Sequence, residues 1–160
     1  MPLLYTVLAN HPALFKAWTD LAWPLRSDPT VERALRELLI LRVAQLTASE
    51  YEWAHHWPLA AGAGVREAQL SALADWESSA EFDGSERAAL AFTDQLVGSG
   101  HVDDDVFVTL RETFGAAAVV QIAMTASFYV CVARMGAAFD LQLEPAYQAM
   151  PPLDPRCRLT

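Results

Sequence analysis

RELLILRVAQLTASEYEWAHHWPLAAGAG, residues 36–64, reads as two helices joined by a short polar break. Ala34, Glu37, Ile40, Leu41 and Ala44 recur at helical spacing, so Val31 to Thr47 is predicted to be one long helix. Ser49 then supplies an N-terminal cap, with Glu52 three residues later completing a capping box, and the second helix runs toward the stop signals Gly62 and Gly64. Pro58 is expected to kink or shorten it.

The same grammar extends in both directions. Asn10 and Pro12 mark a helix start, followed by Leu14, Trp18, Leu21 and Leu25 on one face as far as Arg26. VREAQLSALADW, from residue 65, gives a short helix, and Ser85 to Val97 another after the polar turn EFDGSE. DDDVFVTLRETF places three aspartates at a helix N-terminus, where the macrodipole favours them, and a helix over 115–139 follows. No stretch sustains strand alternation, and no internal repeat is evident. The fold class is therefore all-α, a six- to seven-helix bundle. The expected organisation is a single helical domain over residues 1–144, followed by a proline-rich arm over 145–160 that contains Pro145, Pro151, Pro152 and Pro155.

Bulk properties narrow the function. A chain of 160 residues is one domain in size, yet its 53 % hydrophobic content is high, and a self-associating homo-oligomer is expected to cover the surplus. Lysine and arginine number 11 against 20 acidic residues, for a net charge of -9, and the basic residues are scattered. No basic stripe exists to neutralise phosphates, so nucleic acid is not an expected partner. Cys131 and Cys157 stand far apart without CxxC or CxxH company, which suits a reducing cytoplasm, and Cys131 reads as a small buried hydrophobe. The N-terminus lacks a basic region and a small-residue cleavage site, so no secretion signal is expected. GAAAVVQIAMTASFYVCVA, residues 115–133, is uncharged but contains Gln121, Thr125 and Ser127, and a buried central helix is favoured over a membrane span.

The chemistry-bearing residues cluster in SEYEWAHH, residues 49–56. With Ser49 at zero on a helical wheel, Glu52 falls at about -60° and His56 at about -20°, whereas His55 falls at about -120° and reads as the wetter histidine. Ser49, Glu52 and His56 share a face with Trp53 and Ala60. This trio is either an N-terminal cap with a Glu52–His56 surface pair or part of a site. Glu37 points where apolar residues point, so it is either the salt-bridge partner of Arg33 or a desolvated general acid or base.

RELLILRVAQLTASEYEWAHHWPLAAGAGVREAQLSAL resembles the signature helix pair of the carboxymuconolactone decarboxylase and alkylhydroperoxidase D-like superfamily, over about residues 30–73. FYVCVARMGAAFDLQLE, from residue 128, is similar to that family's last helix. In the peroxidase branch the pattern is a glutamate, a CxxC pair and a histidine four residues after the second cysteine. The resemblance places Glu37 and His56 at the glutamate and histidine, but Ser49 and Glu52 stand where the two cysteines would be. It also implies trimers or hexamers, and a decarboxylase branch that acts on a carboxylated lactone without metal or organic cofactor.

Three readings follow. The first is a cofactor-independent acid–base enzyme on a small-molecule substrate, performing decarboxylation, lactone opening, isomerisation or dehydration. Its catalytic residues would be Glu37, Glu52 and His56, with Ser49, Tyr51, Trp53, Tyr129 and Arg134 as substrate-binding residues and Arg134 as a carboxylate clamp. The second is a metal site built from Glu37, Glu52 and His56, and the third a non-catalytic binding or assembly protein. Nucleotide cofactors find no GxGxxG or GxxxxGK motif, and Schiff-base chemistry would have to use Lys16, the only lysine. Neither serine nor glutamate can be oxidised reversibly by a hydroperoxide. Purified protein supplied with a dithiol reductant is therefore expected to show no appreciable hydroperoxide turnover in a coupled assay, and turnover abolished by substituting Cys131 would overturn that expectation.

Overall fold

The computed structural model describes residues 2–154, which form seven α-helices and two short 3₁₀ turns, with no strand among the described residues. The helices are α1 (Leu3–Leu8), α2 (Pro12–Ser27), α3 (Arg33–Thr47), α4 (Glu50–Ala63), α5 (Glu67–Ala72), α6 (Gly84–Gly98) and α7 (Asp104–Ala138); the 3₁₀ turns are Leu73–Asp75 and Pro145–Tyr147. Pro155 and Cys157 lie outside the described residues.

The all-α expectation is met, with one helix more than periodicity gave before Pro12. Helix α1 is six residues long, too short to display a repeat, and it stands because Leu4 and Leu8, one turn apart, are both buried. Its end is closed by Asn10, whose side chain donates to the Val7 carbonyl at 3.0 Å. The cap of α2 is consequently His11, whose Nδ1 accepts from the Leu14 N–H at 3.3 Å, and not Asn10.

Helices α3 and α4 are antiparallel neighbours because only Ala48 and Ser49 separate them. Ala48 takes the left-handed conformation at φ 54°, and the Ser49 N–H returns to the Ala44 carbonyl at 2.9 Å. Ser49 Oγ then accepts from the Glu52 N–H at 3.3 Å and starts α4. Pro58 does not stop α4, which continues to Ala63 and ends at Gly64, φ 102°. Gly115, at φ 76° and ψ 168°, divides α7 into the two stretches that the sequence separates at that point.

Helix α3 is the hub. It packs on α4, α6 and α7, and Arg36 through Leu46 are all buried. One side of it joins Leu38, Leu41 and Ala44 to Trp76, Phe82, Leu90 and Ile122; the other joins Ile40 and Val43 to Leu4, Leu25, Phe128 and Tyr129. Helix α7 is the one helix among the described residues long and apolar enough to cross a membrane, and half of its most apolar window is buried inside the chain. Its outer face leaves Val120 63 % and Met124 41 % exposed. Cys131 belongs to that outer face and is exposed, which corrects its reading as a buried hydrophobe: the spacing 120, 124, 127, 131 carries it away from α3. The stretch expected to be an extended arm turns at Pro145–Tyr147 and folds back on α4, where the Trp53 indole N–H donates to the Pro151 carbonyl at 2.9 Å.

Arg42 joins three elements. Its guanidinium donates to both oxygens of Asp94 on α6, at 2.6 and 2.7 Å, and to Gln45 Oε1 at 3.0 Å, while the Trp76 indole also donates to Asp94 at 3.0 Å. Removing one partner strands a largely buried cation. Asp94→Ala should therefore lower the unfolding free energy by about 3–5 kcal/mol in urea titrations at neutral pH, and a loss within experimental error would show that solvent screens the pair.

Candidate functional site

The hydrophobic stripe of α3 carries Glu37 inward, and α4 runs back alongside with His56 facing it. The His56 ring nitrogen Nδ1 lies 2.7 Å from Glu37 Oε2. Both residues are 8 % exposed. A carboxylate can only accept, so Nδ1 carries the proton of this contact, and in the neutral imidazole Nε2 is then the lone-pair nitrogen. Arg33 approaches the other oxygen of Glu37 at 3.9 Å, a looser contact from a half-exposed side chain. Glu37 thus serves both partners that the sequence leaves open, and the histidine is the nearer.

These groups line a cavity of about 470 Å³. Glu37, Glu52 and His56 all reach it, together with Tyr51 and Tyr129. The Tyr129 ring meets the His56 ring edge-on at 4.9 Å, and its hydroxyl accepts from Arg26 Nε at 3.3 Å. The three other binding residues expected from the sequence are elsewhere. Trp53 turns into the core with its indole N–H on Pro151, because its wheel position falls between α3 and the returning tail. Ser49 is occupied in capping α4, and it borders a separate polar groove along with Arg134, which is exposed one turn beyond Val130 on α7. Arg134 therefore clamps nothing in the main cavity.

The structure adds residues that no spacing could reveal. Tyr5 of α1, Trp23 and Arg26 of α2, Arg33 of α3 and Tyr147 of the tail join the wall through contacts between distant parts of the chain. His55, expected to be the wetter histidine, also lines it, and its side chain is only 11 % exposed because the tail covers it. Its Nδ1 contacts the Tyr51 carbonyl at 2.7 Å, the one-turn contact available to any helical histidine.

Electrostatics separate the two glutamates. Glu52 is 1 % exposed, and no well-formed hydrogen bond reaches either carboxyl oxygen. Burial pushes its pKa well above the usual carboxylate range, opposed only by the Ser49 hydroxyl, so the neutral acid is favoured. Tyr129 is pushed up to about 12 by burial, against the lowering influence of Arg26, and stays a phenol. No group of three or more histidine, cysteine or carboxylate side chains among the described residues is placed to hold a metal ion.

Residues 12–95, more than half of the 160-residue chain, match the carboxymuconolactone decarboxylase family. No curated protein matches the sequence. Among solved structures, a cysteine-to-alanine variant of the debrominase Bmp8 in complex with 2,3,4-tribromopyrrole superposes with a TM-score of 0.82 at 22 % identity, covering 93 % of this chain and 80 % of that one. A protein of unknown function from Agrobacterium tumefaciens, described as a candidate AhpD antioxidant defence protein, gives 0.80 at 23 % identity over 86 % of this chain and 95 % of that one. A peroxidase-related protein with an alkylhydroperoxidase AhpD core from Ralstonia eutropha JMP134 gives 0.77 at 20 % identity over 91 % and 80 %. These superpositions, at identities below 25 %, show a shared fold and no more.

The buried acid has a stability signature. A carboxyl whose pKa is raised on folding stabilises the native state only while protonated, so that stability is complete below the ordinary carboxylate range and is lost as pH rises through the folded value. The loss accrues at about 1.4 kcal/mol per pH unit across that interval. Glu52→Gln should therefore melt at a higher temperature than the parent at pH 8, with the difference shrinking toward pH 4 in calorimetric scans, whereas an advantage constant with pH would mean that Glu52 does not titrate on unfolding.

Proposed function

The chain belongs to the carboxymuconolactone decarboxylase family, and from that premise we propose that it is a cofactor-independent acid–base enzyme acting on a small anionic carbonyl compound. The observation that carries this reading is the pairing of opposite states on one cavity wall: a histidine oriented by Glu37 at 2.7 Å, beside an unpartnered glutamic acid that burial keeps neutral. Titratable groups whose surroundings divide them in this way are the usual arrangement of a base and an acid.

His56 Nε2 accepts a proton, and Glu37 holds the ring in the tautomer that allows it and stabilises the imidazolium that forms. Glu52 supplies a proton, either hydrogen-bonded to a carbonyl oxygen as negative charge develops there or delivered to carbon afterwards. Isomerisation, dehydration and lactone opening use both groups. Decarboxylation uses chiefly the acid: the carbon–carbon bond to the carboxylate breaks, carbon dioxide leaves, the electron pair enters the conjugated carbonyl, and the resulting enolate is protonated. Arg26 and Arg33 on the cavity wall favour an anionic substrate, and the rings of Tyr51 and Tyr129 favour a planar one. Debromination and peroxidase chemistry belong to the structural neighbours and are not carried over, because Ser49 and Glu52 occupy the positions where the resemblance sets cysteines. The exposed apolar face of α7, with Val120 and Met124, supports assembly into a homo-oligomer; the scattered arginines weigh against a nucleic-acid partner, the polar residues and half-buried surface of α7 against a membrane partner, and the two separated cysteines suit a reducing cytoplasm.

A panel of carboxylated lactones and β-keto acids, incubated with the protein in deuterium oxide and followed by proton NMR, tests the proposal through carbon deuteration and loss of carboxylate. With any substrate so found, His56→Gln should cost about 10²–10⁴ in turnover with a native circular dichroism spectrum. Glu37→Gln should lose part of the same turnover; stability lost with turnover spared would make Glu37 only the partner of Arg33. Near-native turnover in both variants would remove the enzyme reading and leave a small-molecule binding protein. Turnover should also fall as pH rises through the raised Glu52 value, since the acid must be protonated to act.

A further inference from the structure

Both ends of the described chain help to wall the cavity, Pro2, Leu4 and Tyr5 from one side and Tyr147 from the other. One carboxylate gathers them. Glu144 Oε1 accepts from the Leu3 backbone N–H at 2.7 Å and from the Tyr51 hydroxyl at 3.2 Å, and Oε2 lies 3.0 Å from His55 Nε2. The Tyr51 hydroxyl in turn accepts from the Leu4 N–H at 3.3 Å. Beyond Glu144 the Tyr147 ring lies against the His55 ring at 3.9 Å between centroids, and Pro151 accepts the Trp53 indole N–H. Residues 144–151 therefore cross the outside of α4 with His55 beneath them.

The His55 imidazole faces an acceptor at each nitrogen. Nδ1 meets the Tyr51 carbonyl at 2.7 Å, and Nε2 meets the Glu144 carboxylate. Burial opposes ionisation of Glu144, but the Leu3 amide, His55 and the Tyr51 hydroxyl outweigh it and hold its carboxyl below the usual range. A neutral imidazole has one N–H, so one lone pair would point at an oxygen lone pair; the imidazolium alone presents a hydrogen-bonded N–H to the Tyr51 carbonyl and a positive charge to Glu144. The Nε2 contact lies off the line of the ring N–H, which makes it an ion pair that lasts only while the ring is charged.

We propose that residues 144–151 are a pH-released strap across α4 at the edge of the cavity, latched by the His55 imidazolium on the Glu144 carboxylate and unlatched when the imidazole loses its proton. The proposal is independent of the function proposed above, since it concerns only the fastening of the chain. The latch works over a bounded interval. Glu144 loses its charge below the ordinary carboxylate range, and imidazoles lose theirs between about pH 5 and 8. Of the other groups touching His55, Tyr147 contributes only its ring face, and the Tyr51 phenol, pushed up to about 12 by burial, keeps its proton throughout that interval. Around the rest of the wall stand Arg26 of α2, Arg33 and Glu37 of α3, and Glu52 and His56 of α4, with the Tyr5 and Tyr129 phenols of α1 and α7. His56 is the other imidazole on this wall, so the test separates the two histidines.

Hydrogen exchange by NMR on the full chain reads the strap at the Leu3 amide and the Trp53 indole N–H, after correction for the intrinsic pH dependence of exchange. Protection at both sites should fall by about tenfold or more from pH 5.5 to pH 8.5, while α3 amides stay protected. His55→Gln and Glu144→Gln should show the low protection at both pH values, and His56→Gln should keep the response of the parent. Imidazole nitrogen shifts of the parent at pH 5.5 should show both His55 nitrogens protonated, a measurement that needs no variant to fold. A neutral His55 at pH 5.5, equal protection at the two pH values, or a response that survives His55→Gln and vanishes in His56→Gln would each overturn the proposal.

Discussion

A helix buried on nearly every side can keep a charged side chain only if a partner is buried with it. Helix α3 is such a helix, and its charged residues assign its neighbours. Arg36 donates to the backbone carbonyls of Arg26, Asp28 and Val31, which fastens the end of α2 and the turn after it. Arg42 takes Asp94 of α6 and with it the Trp76 indole, and Glu37 takes His56 of α4. Sliding α4 along α3 by one residue would rotate His56 away by about 100° and strand Glu37 in an apolar setting. The polar contacts therefore set the register, while the surrounding leucines and alanines provide the burial that makes register matter.

That constraint also explains why two glutamates in one cavity differ. Glu37 arrived with a partner and Glu52 did not; its backbone N–H is occupied by the Ser49 cap, and its carboxyl enters the cavity with both oxygens free. An acid so placed costs stability whenever it ionises, and it shares a face of α4 with the imidazole that Glu37 orients. The neighbouring histidines divide in a similar way. Successive residues on α4 point about 100° apart, so His56 faces α3 and His55 faces the chain termini, and each imidazole meets a carboxylate supplied by a different part of the fold.

Residue spacing alone was enough for the helices from Pro12 onward, for the inward aim of Glu37 and for placing Glu52 and His56 on a common face, because these depend on a period of 3.6 residues and on caps such as Ser49 and Gly64. Trp53 shares that face by angle, yet the returning tail offers its indole a carbonyl and removes it from the cavity. Cys131 and Arg134 follow the opposite pattern. Both belong to a helix whose composition reads as wholly buried, but α3 and α6 cover only part of its circumference.

What the sequence by itself determined, then, is which residues lie on which side of each helix, since neighbours a few positions apart are held by local geometry. The tertiary structure decided the walls of the cavity. Arg26 meets Tyr129 across 103 positions, Tyr51 meets Glu144 across 93, and Leu3 meets Glu144 across 141. Such contacts leave no periodic trace, because their energy comes from the pairing of groups that only the packed bundle brings within hydrogen-bonding distance.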